Sequence, residues 1–319
     1  MKISHGLGPA TGPHAPVALT IGSFDGVHRG HQAMLALLVN EARHRGLPSC
    51  VLSFEPHPRD FFFARRGGPA APARIATLRD KLAELARCGV DQAVILRFDE
   101  TLATLSPADF VQRVLLQGLG VRYLLVGDDF RFGARRAGDY AMLDAAGAVH
   151  GFDVARMQSY EVHGLRVSSS AVREALAVGD MAHVAELLGR PYTVSGHVLH
   201  GRKLGRTLGF RTLNQRFGHA RPAAKGIFVS EVHGLGPDPL PAVSSLGVRP
   251  AVEDAGRVLL ETHVLDWPAD LPAEAGYGRC LSVDLLHKLH DERPYPSLDA
   301  LQAGIAQDVQ DARGWFAAR

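Results

Sequence analysis

The 319-residue sequence is short of cysteine, of net charge and of long apolar runs, and each shortage narrows what the chain can be. Its three cysteines, Cys50, Cys88 and Cys280, are odd in number, far apart and in no C-x-x-C pair. That argues against a disulfide framework or a structural zinc site and leads us to expect a reducing, cytoplasmic setting. A formal charge of +2, from 35 basic and 33 acidic residues, offers no concentrated basic face, so no nucleic-acid partner is expected. No run approaches the length of a membrane span, and Met1-Lys-Ile-Ser-His-Gly lacks the apolar core of a signal peptide, so no membrane partner is expected either. The length leaves room for two ordinary domains, each able to bury its own core.

The most informative stretch is Thr20-Ile-Gly-Ser-Phe-Asp-Gly-Val-His-Arg-Gly-His-Gln32. Val17 to Ile21 reads as a buried strand, Gly22 to Arg29 as a tight loop, and Gly30 to Arg45 as a helix with apolar Met34, Leu35, Leu37 and Leu38. His28 and His31 therefore fall at a strand-to-helix junction, where unpaired N–H groups and the positive end of the helix favour phosphate. Two imidazoles there can donate to phosphate oxygens, which suits nucleotidyl transfer without a covalent intermediate. Gly22, Gly26 and Gly30 permit close backbone approach to a ligand, and Ser23, Phe24 and Asp25 lie in the same loop. A pair of histidines beside a turn is also common surface decoration; the glycines and the loop context favour function.

Strands and helices alternate through the first half. Strand-like Val17 to Ile21, Cys50 to Phe54, Ala93 to Leu96 and Tyr123 to Val126 are separated by helical Gly30 to Arg45, Leu78 to Cys88 and Pro107 to Leu116. This pattern predicts a Rossmann-like parallel sheet covered by helices, with ligands beyond the carboxyl ends of the strands. Three strand ends carry unusual residues: the histidine loop, then Phe54-Glu-Pro-His-Pro58, then Gly127-Asp-Asp-Phe-Arg-Phe-Gly133. The proline pair also suits a plain rigid turn. The acids and aromatics of the third loop, Asp129, Phe130 and Phe132 among them, suggest a ring-stacking or metal-facing surface. Further on, Arg166-Val-Ser-Ser-Ser-Ala-Val-Arg173 sets hydroxyls before a helix and an arginine on its first turn. Ser168 and Ser169 there suit a helix cap, a phosphate contact, or both.

Beyond Gly189-Arg-Pro191 the pattern changes to short alternating strands, predicting a small antiparallel barrel over Tyr192 to Leu199, Gly226 to Val232, Ala242 to Leu246, Val258 to Leu265 and Arg279 to Leu286. The tail from Leu298 to Phe316 reads as an amphipathic helix packing through Leu298, Leu301, Ile305 and Val309. Gly201-Arg-Lys-Leu-Gly-Arg-Thr-Leu-Gly-Phe210 sets Gly201, Gly205 and Gly209 four apart among Arg202, Lys203 and Arg206, as a phosphate loop or a basic hairpin turn. Thr212 and Asn214 alternate behind it, so on a strand their oxygens share a face and suit Mg²⁺. Glu261, inside apolar Leu259 to Leu265, reads as a solvent-facing alternation or as a general base.

Taken together these motifs resemble, nearly over the full length, the bacterial bifunctional riboflavin kinase and FAD synthetase family. The likeness rests on Gly22 to Gln32, Phe54 to Pro58, Gly127 to Gly133 and Ser168 to Arg173 in the first half. In the second it rests on Gly189-Arg-Pro191, Gly201 to Gly209, Gly247-Val-Arg-Pro250 and the Glu261 strand. The resemblance implies an α/β nucleotidyltransferase domain over 1–188, followed over 189–319 by a riboflavin kinase β-barrel with a C-terminal helix. It implies that ATP phosphorylates riboflavin to FMN in the barrel, with Glu261 as base and Mg²⁺ on Thr212 and Asn214. FMN and a second ATP would then give FAD and pyrophosphate in the first domain, with His28 and His31 steadying charge. It further implies phosphate contacts from Gly22, Ser23, Phe24, Gly30, Ser168, Ser169, Arg173, Gly201, Lys203, Gly205, Arg206 and Gly209. Flavin contacts would come from Phe54, Pro56, Pro58, Asp129, Phe130, Phe132 and Arg249. The chain departs from the family pattern at Ser23, Arg211, Ala251 and His290, where Asn, Pro, Thr and Arg are usual. Two alternatives stay open: a synthetase whose barrel only binds flavin or regulates, and a flavin carrier or sensor.

Overall fold

The computed structural model describes residues 1–7, 15–66, 72–158, 161–162, 165–200, 209–218, 221–248, 258–272 and 274–319. By packing, the chain divides into two compact units, Met1–Pro72 with Lys81–Val167 and Ala73–Asp80 with Ser168–Arg319.

The first unit is built on a six-stranded sheet. Strands β1 (Lys2–His5), β2 (Val17–Ile21), β3 (Ser49–Glu55), β4 (Gln92–Arg97), β5 (Val121–Gly127) and β6 (Asp153–Met157) lie in the order β1-β4-β3-β2-β5-β6. All of the pairings are parallel, and β7 (Glu161–Val162) and β8 (Leu165–Arg166) form a separate antiparallel pair. Every residue of β2 is buried, as expected of a central parallel strand covered on both faces. Helices α1 (Arg29–His44) and α3 (Leu78–Arg87) bring Leu35, Val39 and Leu85 against Val51 and Ala93 on one face. On the other, Val114 and Leu115 from the π-helical segment Phe110–Gly118 and Leu143 from the helix Tyr140–His150 meet Leu19, Leu52 and Leu124. The expected Pro107 to Leu116 helix is thus α-helical only over Pro107–Asp109. Strand β1 is largely exposed and β6 is interrupted by Asp153 and Arg156, so neither shows the apolar run by which the inner strands are recognised.

In the second unit six strands close into an antiparallel barrel: β9 (Tyr192–Leu199), β10 (Leu213–Arg216), β11 (Gly226–His233), β12 (Leu240–Val248), β13 (Val258–Val264) and β14 (Cys280–His290). Burial alternates strictly along β13, the mark of a strand with one face turned inward. Inside the wall the buried hydroxyls of Ser230, Ser244 and Thr262 bond in a row at 2.7 and 2.9 Å. The C-terminal helix Leu298–Ala317 forms as expected, with Leu301, Ile305 and Val309 half-buried on the face that also buries Asp308 and Ala312. Leu298 is 67% exposed, while Asp308 and Ala312 are the buried residues. Ala312 is small enough to bring the helix onto Val229 and Val243, and Asp308 is drawn inward by His290.

Candidate functional site

The sheet order reverses between β2 and β5, and ligands of doubly wound sheets settle at such a switch point, beyond the strands' carboxyl ends. The histidine loop leaves β2 there. His28 is the N-cap of α1: its Nδ1 accepts from the His31 backbone N–H at 3.3 Å. A neutral ring with Nδ1 engaged as acceptor carries its proton on Nε2, which becomes its donor toward an anion. The His28 and His31 rings stack 3.6 Å apart, with Phe24 5.0 Å from His31. No acid lies in the first turn of α1, so nothing opposes an anion at its positive end. A side chain at Gly30 would press on the His28 ring and on the Val167 carbonyl, 3.2 and 3.3 Å from where its first carbon would sit. Phe24 and Val27 hold left-handed φ values of 48° and 40°, at a cost of about 1–3 kcal/mol each. The loop is therefore held by its surroundings: Gln32 Nε2 donates to the Val27 carbonyl at 2.9 Å, and the Phe24 ring is buried.

The two neighbouring strand ends supply aromatic surface. Phe54 ends β3 and meets Phe98 edge-on at 5.7 Å; Phe98 also meets Phe61 and Phe62, at 5.4 and 5.7 Å. Pro56 follows Glu55 through a cis peptide, and Pro58 opens the helix α2 (Pro58–Arg66) that carries Phe61 and Phe62. After β5, exposed Asp129 and half-buried Phe130 lead to Phe132, which is buried against Phe110 and underlies Phe130 at 5.9 Å. Reading the sequence missed Phe61, Phe62 and Phe98, although the Phe61-Phe-Phe63 run three residues after Pro58 is a visible signal. It missed Lys81 too, a lysine on the apolar face of α3 four residues before Leu85.

The remaining predicted residues belong to the second unit. Ser168 caps the helix Ser169–Val178 through a bond from the Ala171 N–H, and Arg173 Nε donates to the Ala73 carbonyl at 2.7 Å. In the barrel wall Asn214 on β10 lies directly opposite Glu261 on β13, and Glu261 lies opposite Ser245 on β12. Asn214 is 6% exposed, and its Oδ1 is buried without a hydrogen bond. A buried carbonyl oxygen without a donor is costly, and a hard cation is one partner that would satisfy it. Thr212, two residues earlier, is half-buried and Gly209 takes a φ of +83°. Ser245 Oγ donates to Glu292 at 3.4 Å; burial, the largest influence, pushes the Glu292 carboxyl above its usual range. His290 Nε2 pairs with Asp308 at 2.7 Å, tying β14 to the C-terminal helix. Gly201, Lys203, Gly205, Arg206 and Arg249 lie outside the described residues, as does Ala251.

The first unit is thus a doubly wound α/β sheet with a capped histidine pair at its switch point, and the second a closed antiparallel barrel that sets a carboxylate opposite a buried amide oxygen. A family model described as FAD synthetase matches residues 11–171, and one described as riboflavin kinase matches residues 188–316. The chain is 45% identical over 317 residues to the bifunctional riboflavin kinase/FMN adenylyltransferase of Escherichia coli (strain K12), covering 99% of this chain and 98% of that one. It is 39% identical to the protein of that name from Haemophilus influenzae, covering 99% of both. The chain belongs to the bifunctional riboflavin kinase/FMN adenylyltransferase family. A solved structure titled a macrolide-efflux protein, from Streptococcus pneumoniae, shares the fold at a TM-score of 0.74 and 23% identity, covering 99% of this chain and 100% of that one. Among the described residues no helix is long and apolar enough to cross a membrane.

Proposed function

We propose that the family's two activities are divided here between the histidine loop of the sheet and the Glu261 wall of the barrel, with the functional modules meeting at 188/189. In the barrel the ribityl 5'-hydroxyl of riboflavin attacks the γ-phosphorus of ATP, Glu261 takes the hydroxyl proton, and ADP leaves. Thr212 and Asn214 supply hard oxygens for Mg²⁺, and the unbonded Oδ1 of Asn214 suits that role. Bound with ATP, the ion would neutralise phosphate charge. In the sheet module an FMN phosphate oxygen attacks the α-phosphorus of a second ATP, forming FAD and releasing pyrophosphate. His28 and His31 donate to the oxygens that gain charge, while Gly22, Ser23, Phe24 and Gly30 shape the loop around them. Phe54, with Pro56, Pro58, Asp129, Phe130 and the supporting Phe132, forms the flavin-facing rim. Ser168, Ser169 and Arg173 serve the triphosphate, and Gly201, Lys203, Gly205, Arg206 and Gly209 the kinase phosphates, with Arg249 toward the flavin. Cys50, Cys88 and Cys280, none of them in a disulfide, suit a reducing cytoplasm.

The observation that carries this reading is that two separate candidate sites fall one within each of the two family matches. The test is chromatography of flavins after incubating the purified protein with riboflavin, ATP and Mg²⁺. Successive FMN and FAD peaks are expected. Conversion of added FMN to FAD with no conversion of riboflavin would leave only the synthetase, and tight flavin binding without pyrophosphate release would leave only a carrier.

A further inference from the structure

Lys81 on α3 is 2% exposed, and a buried ammonium is tolerated only where polar partners repay its lost hydration. Its Nζ donates to the Ser53 hydroxyl at 3.1 Å and to the Ser23 carbonyl at 3.4 Å. The Ser53 hydroxyl, fully buried on β3, donates to the same carbonyl at 3.4 Å. Ser23 stands where the histidine loop turns into its left-handed stretch, one residue before Phe24 and five before His28. The loop is thus gripped at two carbonyls: Ser23 by Lys81 and Ser53, and Val27 by Gln32. Asp25, 3% exposed, is a buried residue between those two points in the chain.

We infer that Lys81 is a positioning residue for adenylyl transfer, fixing through the Ser23 carbonyl the path of the loop that aims His28 and His31. Packing alone does not call for it. Leu85, one turn along the same face, fills the apolar contact with the sheet, and methionine would fill the space of Lys81 without a charge to desolvate. The ammonium is too deeply buried to be presented to substrate, so it acts through the backbone it holds. This inference rests on the histidine loop being the adenylyl-transfer site.

The experiment compares full-length Lys81→Met, Ser53→Ala and His31→Ala, measuring kcat and KM for FAD formation from FMN and ATP, riboflavin phosphorylation, and Tm. A small displacement of catalytic groups is expected to lower kcat by about tenfold to a hundredfold in Lys81→Met. KM for both substrates should stay within about twofold, the mark of a group acting in the transition state rather than in binding. Riboflavin phosphorylation should be unchanged and the loss of kcat should persist well below Tm, whichever way Tm moves, a combination that a merely structural lysine would not produce. Ser53→Ala should shift kcat in the same direction by less, and it carries the test by the same criteria if Lys81→Met does not fold. If His31→Ala abolishes FAD formation while Lys81→Met keeps the parent kcat, the inference fails and the site stands. If His31→Ala forms FAD normally, the site reading fails and takes the inference with it. A fall in Tm accompanied by equal loss of both activities assigns Lys81 to folding and overturns the proposal.

Discussion

His28 has two tasks that substitution can separate. Its Nδ1 caps α1 by accepting from the His31 N–H, and the rest of its ring stacks on His31 with the Nε2 proton as donor. Asparagine at position 28 keeps a side-chain oxygen able to cap the helix and removes the imidazole; alanine removes both. The cap is worth about 1 kcal/mol, so His28→Ala should melt about 2–4 °C below His28→Asn. Both variants lose the Nε2 donor, since an asparagine with its oxygen at the cap places its amide N–H one bond short of it, and a donor at a preorganised site is worth about 10²–10³ in kcat. FAD formation from FMN and ATP, followed by chromatography, should therefore fall equally in the two variants, with riboflavin phosphorylation intact in each. Recovery of FAD formation in His28→Asn relative to His28→Ala would show that loop geometry or an amide donor suffices and the imidazole is not required. Activity within about threefold of the parent in both would remove His28 from the reacting phosphate altogether.

The barrel makes three further predictions. Glu261→Gln should lower riboflavin phosphorylation by about 10²–10⁴ while added FMN is still converted to FAD, and an unchanged kinase rate would exclude Glu261 as base. Asn214→Ala deletes a buried oxygen that makes no hydrogen bond, so Tm should hold within about 2 °C. Half-maximal kinase rate in that variant should need at least about tenfold more Mg²⁺, which a Mg²⁺ titration reads directly. Glu292 is held above its usual range chiefly by burial, with Ser245 opposing and Glu261 adding to the shift. A carboxyl raised in the folded state contributes stability that is fully present below its unfolded value and lost as pH rises through the folded one. Glu292→Gln keeps the neutral form at all pH, so it should melt higher than the parent near neutrality and coincide with it near about pH 4; parallel melting curves across that range would refute the argument.

Much of both units is legible in the chain because periodicity and turn residues report local structure. The apolar run Val17–Ile21 with the glycines after it specifies a buried strand and a ligand loop, and the structure places β2 at those residues. Alternation in Val258–Val264 likewise marks a wall strand with Glu261 on its outer side. The edge strands β1 and β6 were not legible, since an edge needs no continuous apolar sequence. The C-terminal helix is instructive in the other direction. Its apolar stripe marked the packing face, where Leu301, Ile305 and Val309 are half-buried, yet Leu298 is exposed and full burial goes to Asp308 and Ala312, because Asp308 pairs with His290 and close approach favours a small residue.

Local sequence, then, was enough to nominate the histidine pair, the carboxylate of the barrel and the order of the two modules, since each depends on neighbours a few residues away. Only the tertiary structure showed that Lys81 and Ser53 converge on the Ser23 carbonyl, that Phe98 completes an aromatic group around Phe54, and that Asn214 stands bare across from Glu261. Those contacts join residues 30 to 58 positions apart on different elements, and their existence depends on sheet order and strand register, which no local pattern encodes.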